Sequence, residues 1–355
     1  MISAFATLLL VIATVVPLSK NPHWIVRGLD FPRLQIAVLA FILLVFHLAN
    51  LTLQQSLSVV LIVATALCLA WQLWWVVPYT RLWPCEVQRN TSTDPDRQLS
   101  IITANVLKTN RNSDKLLALV DQYQPDILVT LESDQWWQDQ LNVLEAAMPY
   151  SVKCPLDNLY GMHVYSRLPF SDESVAYLVE DDIPSIHFQV QLRCDVTVQM
   201  YFVHPAPPSP TENTESAERD AELITIARSV AETRGPIVVT GDLNDVAWSA
   251  TTRLFRKISG LLDPRVGRGM FNTFHVNVPF LRWPLDHLFH SAHFSVKKIQ
   301  RLPSIGSDHF SLFSVLVYEP AQCDAQQGLT ATAQERQQAQ EISAEKDVSK
   351  DDVPC

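Results

Sequence analysis

Patterned cysteine is missing from this 355-residue chain. Its six cysteines include no C-x-x-C, so neither a zinc cage nor a redox pair is written into it. Cys68 lies inside an apolar run, and Cys85, Cys154, Cys194, Cys323 and Cys355 are scattered. Cys154 and Cys194 can pair in an oxidising compartment or stand as two buried thiols, and both readings stay open. Positive charge is also short: 27 Lys and Arg face 37 Asp and Glu, for a net −10. Within the first 94 residues, Lys20, Arg27, Arg33, Arg81 and Arg89 outnumber Asp30, Glu86 and Asp94, giving +2 there and −12 in the remainder. A duplex is held by its phosphates through a broad cationic field, so this acidity disfavours a nucleic-acid substrate without excluding it.

Charge disappears altogether from residues 2–18 and 57–77, and residues 34–53 hold few polar interruptions, His47 the strongest. Each run has about the length a helix needs to cross a hydrocarbon core of ~30 Å, at roughly 20 residues per span. Trp71, Trp74 and Trp75, with Tyr79 and Trp83 just beyond, mark a headgroup-level exit. The first run lacks the basic start and A-x-A-like end of a signal peptide, and two more runs follow it. The sequence therefore predicts three transmembrane helices over residues 1–83; core helices of a soluble protein are the alternative. Lys20, Arg27 and Arg33 in the first connector, and Arg81 and Arg89 after the third run, set the orientation by a margin of a few charges. By the positive-inside rule this is a multi-pass protein of the inner (cytoplasmic) membrane with its domain on the cytoplasmic side.

Residues 84–98 read as a polar linker. From 99 to 320, short β-rich runs such as "LSIITANV", "PDILVTLE" and "GPIVVTGD" alternate with helical stretches, "NSDKLLALVDQY" and "ESAERDAELITIARSVAETRG". Many strands with few helices predict an α+β domain of two packed sheets with helices outside. Residues 321–355 lack aromatics and are rich in Gln, Ala and charge, so they are expected to form a disordered, solvated acidic tail, at most weakly helical.

Chemistry is concentrated where strands end. Asn105 closes "IITAN", Glu132 closes "ILVTLE", His204 closes "YFVH", and Asp242 and Asn244 close "IVVTGDLN". Asp286 sits in "PLDH", and Asp308 and His309 precede the last strand in "GSDHFS". Any one of these is equally a turn cap, but together they can converge on one rim of a sheet. Carboxylates crowded there repel one another unless a cation sits between them. Oxygen ligands without cysteine suit a hard ion, Mg²⁺ or Mn²⁺, which leaves coordination positions for water and phosphate. Gly241 is expected to let its strand turn tightly, and Asp245 reads as a turn residue. Arg219 reads either as a helix-surface residue or as a support for the rim. Tyr160, His163 and Arg167 are weaker cleft candidates, with Arg167 read as structural; His275, His290 and His293 are taken as core or surface histidines.

The ordered motifs "TANV", "TLE", "YSRLP", "VHPAPP", "TGDLND", "LDHLF" and "GSDHFS" resemble the endonuclease/exonuclease/phosphatase superfamily over residues 99–317, most of all its membrane-anchored bacterial members. The resemblance implies a four-layer sandwich of two β-sheets flanked by helices, with divalent metal at one rim. It implies Glu132 as principal metal ligand, assisted by Asn105, with Asp308 a second metal-side carboxylate. It also implies that Asp242 orients or deprotonates water and Asn244 holds the phosphate. His309 would contact that phosphate, Asp286 would be its partner, and His204 would act near the leaving group. The activity implied is hydrolysis of a phosphodiester or phosphomonoester, lipid-derived substrates included. A membrane-anchored nuclease and a catalytically inactive scaffold are the alternatives.

Overall fold

The computed structural model describes residues 2–354, so Cys355 lies outside the described residues. Four helices open the chain: α1 (Ile2–Val15), α2 (Trp24–Gly28), α3 (Arg33–Asn50) and α4 (Ser56–Val76). Three helical stretches, Ile2–Ser19, Arg33–Asn50 and Ser56–Tyr79, are long and apolar enough to cross a membrane. They meet along a narrow seam of Leu10, Ile36, Ala40 and Cys68. Inside the bundle, Thr7 and His47 pair at 2.9 Å, and Gln72 donates to Thr14 at 3.1 Å. Leu8, Leu9, Phe41, Ile42, Val60, Val63 and Leu67 point outward and stay exposed. An apolar surface of that extent is one that a folded protein normally keeps covered.

The rest of the chain runs through β1 (Gln98–Asn105), α5 (Ser113–Tyr123), β2 (Ile127–Leu131), α6 (Gln135–Leu141), β3 (Tyr150–Cys154) and β4 (Met162–Ser166). It continues with β5 (Phe170–Ala176), β6 (Ser185–Gln191), β7 (Thr197–Val203), α7 (Ala217–Glu232), β8 (Ile237–Asp242) and α8 (Ala250–Ser259). β9 (Asp286–His290), β10 (Phe294–Ser304), β11 (Phe310–Tyr318) and α9 (Ala333–Ala344) complete it. The strands form two sheets, in the orders β10-β11-β1-β2-β4-β3 and β5-β6-β7-β8-β9.

Period-two alternation explains the layers. On β1, Ile101 faces the other sheet and packs with Val129, Phe188, Met200, Phe202 and Val238, whereas Ile102 faces outward to Leu116, Val120 and Trp137 of α5 and α6. Tyr201, Val239 and Phe289 likewise leave the inter-sheet core to meet Leu223, Ile224, Ala227 and Phe255 of α7 and α8. The result is the expected four-layer sandwich.

Several local expectations change. Residues 84–98 are not a free linker: Val87 is buried between the sheets, and residues 88–90 bond to Val296 along the edge of β10. An apolar side chain and a strand edge captured the segment. Cys154 and Cys194 are both free thiols. The tail folds as well, because α9 carries a complete capping box, Thr332 with Glu335, and lays Ala339 against the α7–α8 layer, where Val353 joins it. Thr225 bonds Ser343 at 3.1 Å, and Lys257 pairs with Glu335 at 2.5 Å. Composition hid this because the few residues that dock, Ala339, Ile342 and Val353, are scattered among Gln and charged residues. Ala339→Asp should therefore lower stability by roughly 2–3 kcal/mol in chemical denaturation, by burying an unpaired carboxylate; a solvated tail would tolerate it with no measurable shift.

Candidate active site

Strand direction gathers the site. β1 and β2 are parallel, as are β7 and β8, so the ends of all four lie at one edge of the sandwich. β9 and β11 run antiparallel to β8 and β1, so their beginnings lie at that same edge. Asn105, Glu132, His204 and Asp242 therefore arrive from strand ends, and Asp286 and His309 from strand starts. A hydrogen bond of 2.8 Å between Thr103 and Thr240 ties the two sheets together close beneath them.

Asn105 bridges the halves. Its amide donates to Glu132 Oε1 at 2.7 Å and to Asp242 Oδ2 at 3.2 Å, and its Oδ1 accepts the Leu107 N–H at 3.1 Å. Glu132 itself sits in left-handed backbone, at φ 57°, a conformation with a steric cost that marks a constrained position. Burial pushes its carboxyl up to about 7, the Asn105 bond opposing, with Asp308 and Asp242 adding to the rise.

His309 lies between two carboxylates, with Nδ1 2.8 Å from Asp286 and Nε2 3.5 Å from Asp242. Burial alone would depress the imidazole, but Asp242 and Asp286 overturn that and push it up to about 10. Asp242, against the cost of its burial, is held below the usual carboxylate range by His309, His204 and the Asn244 N–H. The Phe274 ring covers His309 at 4.9 Å between centroids. His204 is buried, with the Tyr160 ring tilted against it at 5.3 Å between centroids, and burial drives it down to about 4. Among the described residues its Nδ1 has no hydrogen-bond partner.

β8 runs on to Asp242, and Gly241 serves a different purpose from the expected tight turn. A Cβ at Gly241 would lie 1.8 Å from the Val203 carbonyl, so glycine permits β7 and β8 to approach. The turn comes one step later, at Asn244, with φ 50°. Asn244 is fixed from both sides: its amide donates to the Pro205 carbonyl at 2.9 Å, and its own carbonyl accepts from Arg219 at 2.8 Å. Arg219 is thus a buried support of the rim that also pairs with Asp220 and Asp245. No spacing in "SAERDAEL" distinguishes such an arginine from one on the helix surface. Asp245 is the turn residue, accepting from Val246 N–H and Thr252.

Arg167 makes structural bonds to Pro125 and Gln124. His163 supports the site from below, 2.5 Å from Ser133, and His290 is a buried core histidine. Asp308 is half-buried beside the cluster and receives the Ser307 hydroxyl at 3.3 Å.

Asp242, Asp286 and His309 each offer a ligand atom within 4.8 Å of the others, a set able to hold a divalent ion. Both nitrogens of His309 already face carboxylates, however, and its imidazolium supplies the positive charge there. Glu132 has no basic side chain in hydrogen-bond contact, only the Asn105 amide, and burial is the main cause of its raised carboxyl, with Asp308 and Asp242 adding to it and His309 opposing. Glu132, bonded to the Asn105 amide, and the half-buried Asp308 offer carboxylate oxygens of the kind a hard ion takes. Magnesium at a hundredfold excess over its dissociation constant should stabilise the wild-type protein by about 2.7 kcal/mol. In thermal unfolding, Glu132→Gln should abolish the magnesium-dependent shift and Asp286→Asn should keep it; the reverse pattern would place the ion at His309.

Comparison with known proteins agrees with this geometry. Residues 102–309 match the Endonuclease/Exonuclease/phosphatase family. No curated protein matches the chain. Among solved structures, D. rerio TDP2 complexed with single strand DNA product superimposes with a TM-score of 0.51 at 16% identity, over 62% of this chain and 98% of that one. The human Nocturnin catalytic domain with bound sulfate anion gives 0.51 at 15%, over 68% and 99%. An endonuclease/exonuclease/phosphatase from Beutenbergia cavernae gives 0.50 at 15%, over 63% and 72%. At these identities the likeness is one of fold. The family match itself runs from β1 through His309 and takes in the strand ends described above; the chain belongs to the endonuclease/exonuclease/phosphatase family.

Proposed function

We propose that this protein is a membrane-anchored, divalent-metal-dependent phosphoesterase that hydrolyses a phosphodiester or phosphomonoester. Its seat is the inner membrane, through the three apolar helices, with the domain on the cytoplasmic side. One observation carries the reading. Asn105, Glu132, Asp242, Asn244, Asp286 and His309, distant in sequence, share one edge between two sheets, with an imidazolium and carboxylates in hydrogen-bond contact.

A Mg²⁺ or Mn²⁺ ion held by Glu132, Asn105 and Asp308 would offset negative charge on the phosphate. The protein's own groups do the rest. Asp242, kept ionised, accepts a hydrogen bond from the attacking water and aims it. His309, locked through Nδ1 by Asp286, presents Nε2 as a donor to a phosphoryl oxygen. Asn244 uses one amide N–H on Pro205 and keeps the second for the phosphate. His204, neutral because it is buried, lies where it can relay a proton to the leaving oxygen. Water's oxygen bonds to phosphorus, the ester P–O bond breaks, and the departing alcohol takes up the proton.

A nuclease is the second reading. The likeness of His204 to the additional histidine of the family's deoxyribonuclease-like branch favours it, whereas the net −12 beyond residue 94 opposes it. An inactive scaffold would be expected to have lost a ligand or the last histidine, and here each is present. The test is a panel with magnesium on the full-length protein: bis(p-nitrophenyl) phosphate, p-nitrophenyl phosphate, a short-chain phospholipid, supercoiled DNA and RNA. Asp242→Asn and His309→Ala should each reduce turnover by roughly 10²–10⁴-fold with the circular dichroism spectrum unchanged. Full turnover in both variants would remove the assignment, and preference for polynucleotide would select the nuclease.

A further inference from the structure

We infer that the mouth of this site opens onto the bilayer, with residues 278–281 inserted at headgroup depth, and that its substrate is a phosphate ester carried by a membrane-embedded lipid. The inference rests on the phosphoesterase reading and deepens it.

Three of the loops at the rim touch the apolar helices or their connector. The loop after β7, which begins with His204, pairs with residues 22–24: Trp24 N–H donates to Thr214 and Ser216 N–H to Pro22, each at 2.9 Å. The loop after β8, which holds Asn244, receives the other contacts. Trp248 donates its indole N–H to the Asp30 carbonyl at 2.9 Å, and the Tyr79 hydroxyl donates to the Ala247 carbonyl at 2.6 Å. The third loop, residues 270–285, walls His309. Val276 N–H bonds the Asp308 carbonyl at 2.8 Å, and Phe274 bridges His309. The far end of that loop is tied to α3, where Gln35 donates to the Phe280 carbonyl at 2.7 Å. The reactive edge of the sandwich is therefore the edge turned toward the spans.

Gln35 lies in the first turn of α3, at the boundary where a spanning helix leaves the hydrocarbon. Phe280, bonded to it, occupies the same depth. Its side chain is 86% exposed, Leu281 46% and Val278 38%, next to the bare apolar flank of α3 formed by Val38, Leu39 and Ile42. A water-facing loop has no use for such a tip, whereas one continuous with a spanning helix covers it with lipid. Two cations lie against one ring beside the site: Arg282 is 5.1 Å and Arg301 4.3 Å from the centroid of Phe310, the residue after His309. Guanidinium groups there attract an anionic headgroup toward His309. A phosphate on a lipid reaches the site edgewise with its chains still in the bilayer.

The experiment uses the full-length protein in nanodiscs containing phosphatidic acid and phosphatidylglycerol, a monoester and a diester. An environment-sensitive fluorophore on Phe280→Cys, in a background with the other cysteines changed to serine, should emit as in an apolar medium and be quenched by brominated lipid. Emission as in water, or shielding only in a dimer, overturns the insertion. The double variant Phe280→Asp/Leu281→Asp should hydrolyse bis(p-nitrophenyl) phosphate at the wild-type rate and lose about tenfold or more on lipid phosphate. Equal effects on both substrates, or soluble turnover with neither lipid cleaved, overturn the substrate class. Absence of all hydrolysis by the wild type strikes the phosphoesterase reading instead, and the fluorophore still decides the insertion.

Discussion

The site depends on one amide. Asn105 ends a strand of one sheet, and its single side-chain nitrogen reaches Glu132 in the same sheet and Asp242 in the other. Carboxylates brought this close at a buried edge repel, and each pays for leaving water. The amide, the His309 imidazolium and the Thr103–Thr240 rung below them offset part of that cost. Glu132 keeps no basic side chain in hydrogen-bond contact, and a hard cation is its natural complement.

The same logic of buried charge extends to the helices before the domain. Arg33 begins α3 fully enclosed, paired with Asp30, bonded to Gln72 at 3.3 Å and stacked 4.9 Å over Trp75. Gln72 passes the chain of bonds to Thr14, and the Asp30 carbonyl passes it to Trp248 in the domain. A buried ion pair contributes little net stability, but breaking it strands a charge, so it fixes geometry. Here it fixes the ends of three helices against the loop that follows β8. The domain is thereby seated on the apolar helices by its reactive edge.

Much of this was legible in the sequence because the signals are local. Runs of twenty apolar residues can only be satisfied in lipid or a large core. β-branched segments ended by Asn, Asp, Glu or His announce strands and a polar rim. Isolated residues carried no such signal. Ala339, Ile342 and Val353 dock a C-terminal segment that composition reads as solvated, and Val87 drew a supposed linker into the core. Arg219 had two readings, because a buried arginine and a surface one look alike until its partners Asn244, Asp220 and Asp245 are placed.

By itself, then, the sequence determined three apolar spans, the strand-rich domain, and which residue types stand at its strand ends, since these follow from periodicity and transfer from water. Tertiary structure alone decided how those ends pair. It set His309 between Asp286 and Asp242, used Gly241 for close approach rather than a turn, and turned the Phe280 loop toward α3. Distances between residues far apart in sequence depend on how parallel and antiparallel strands are ordered in two sheets, and no local pattern encodes that order.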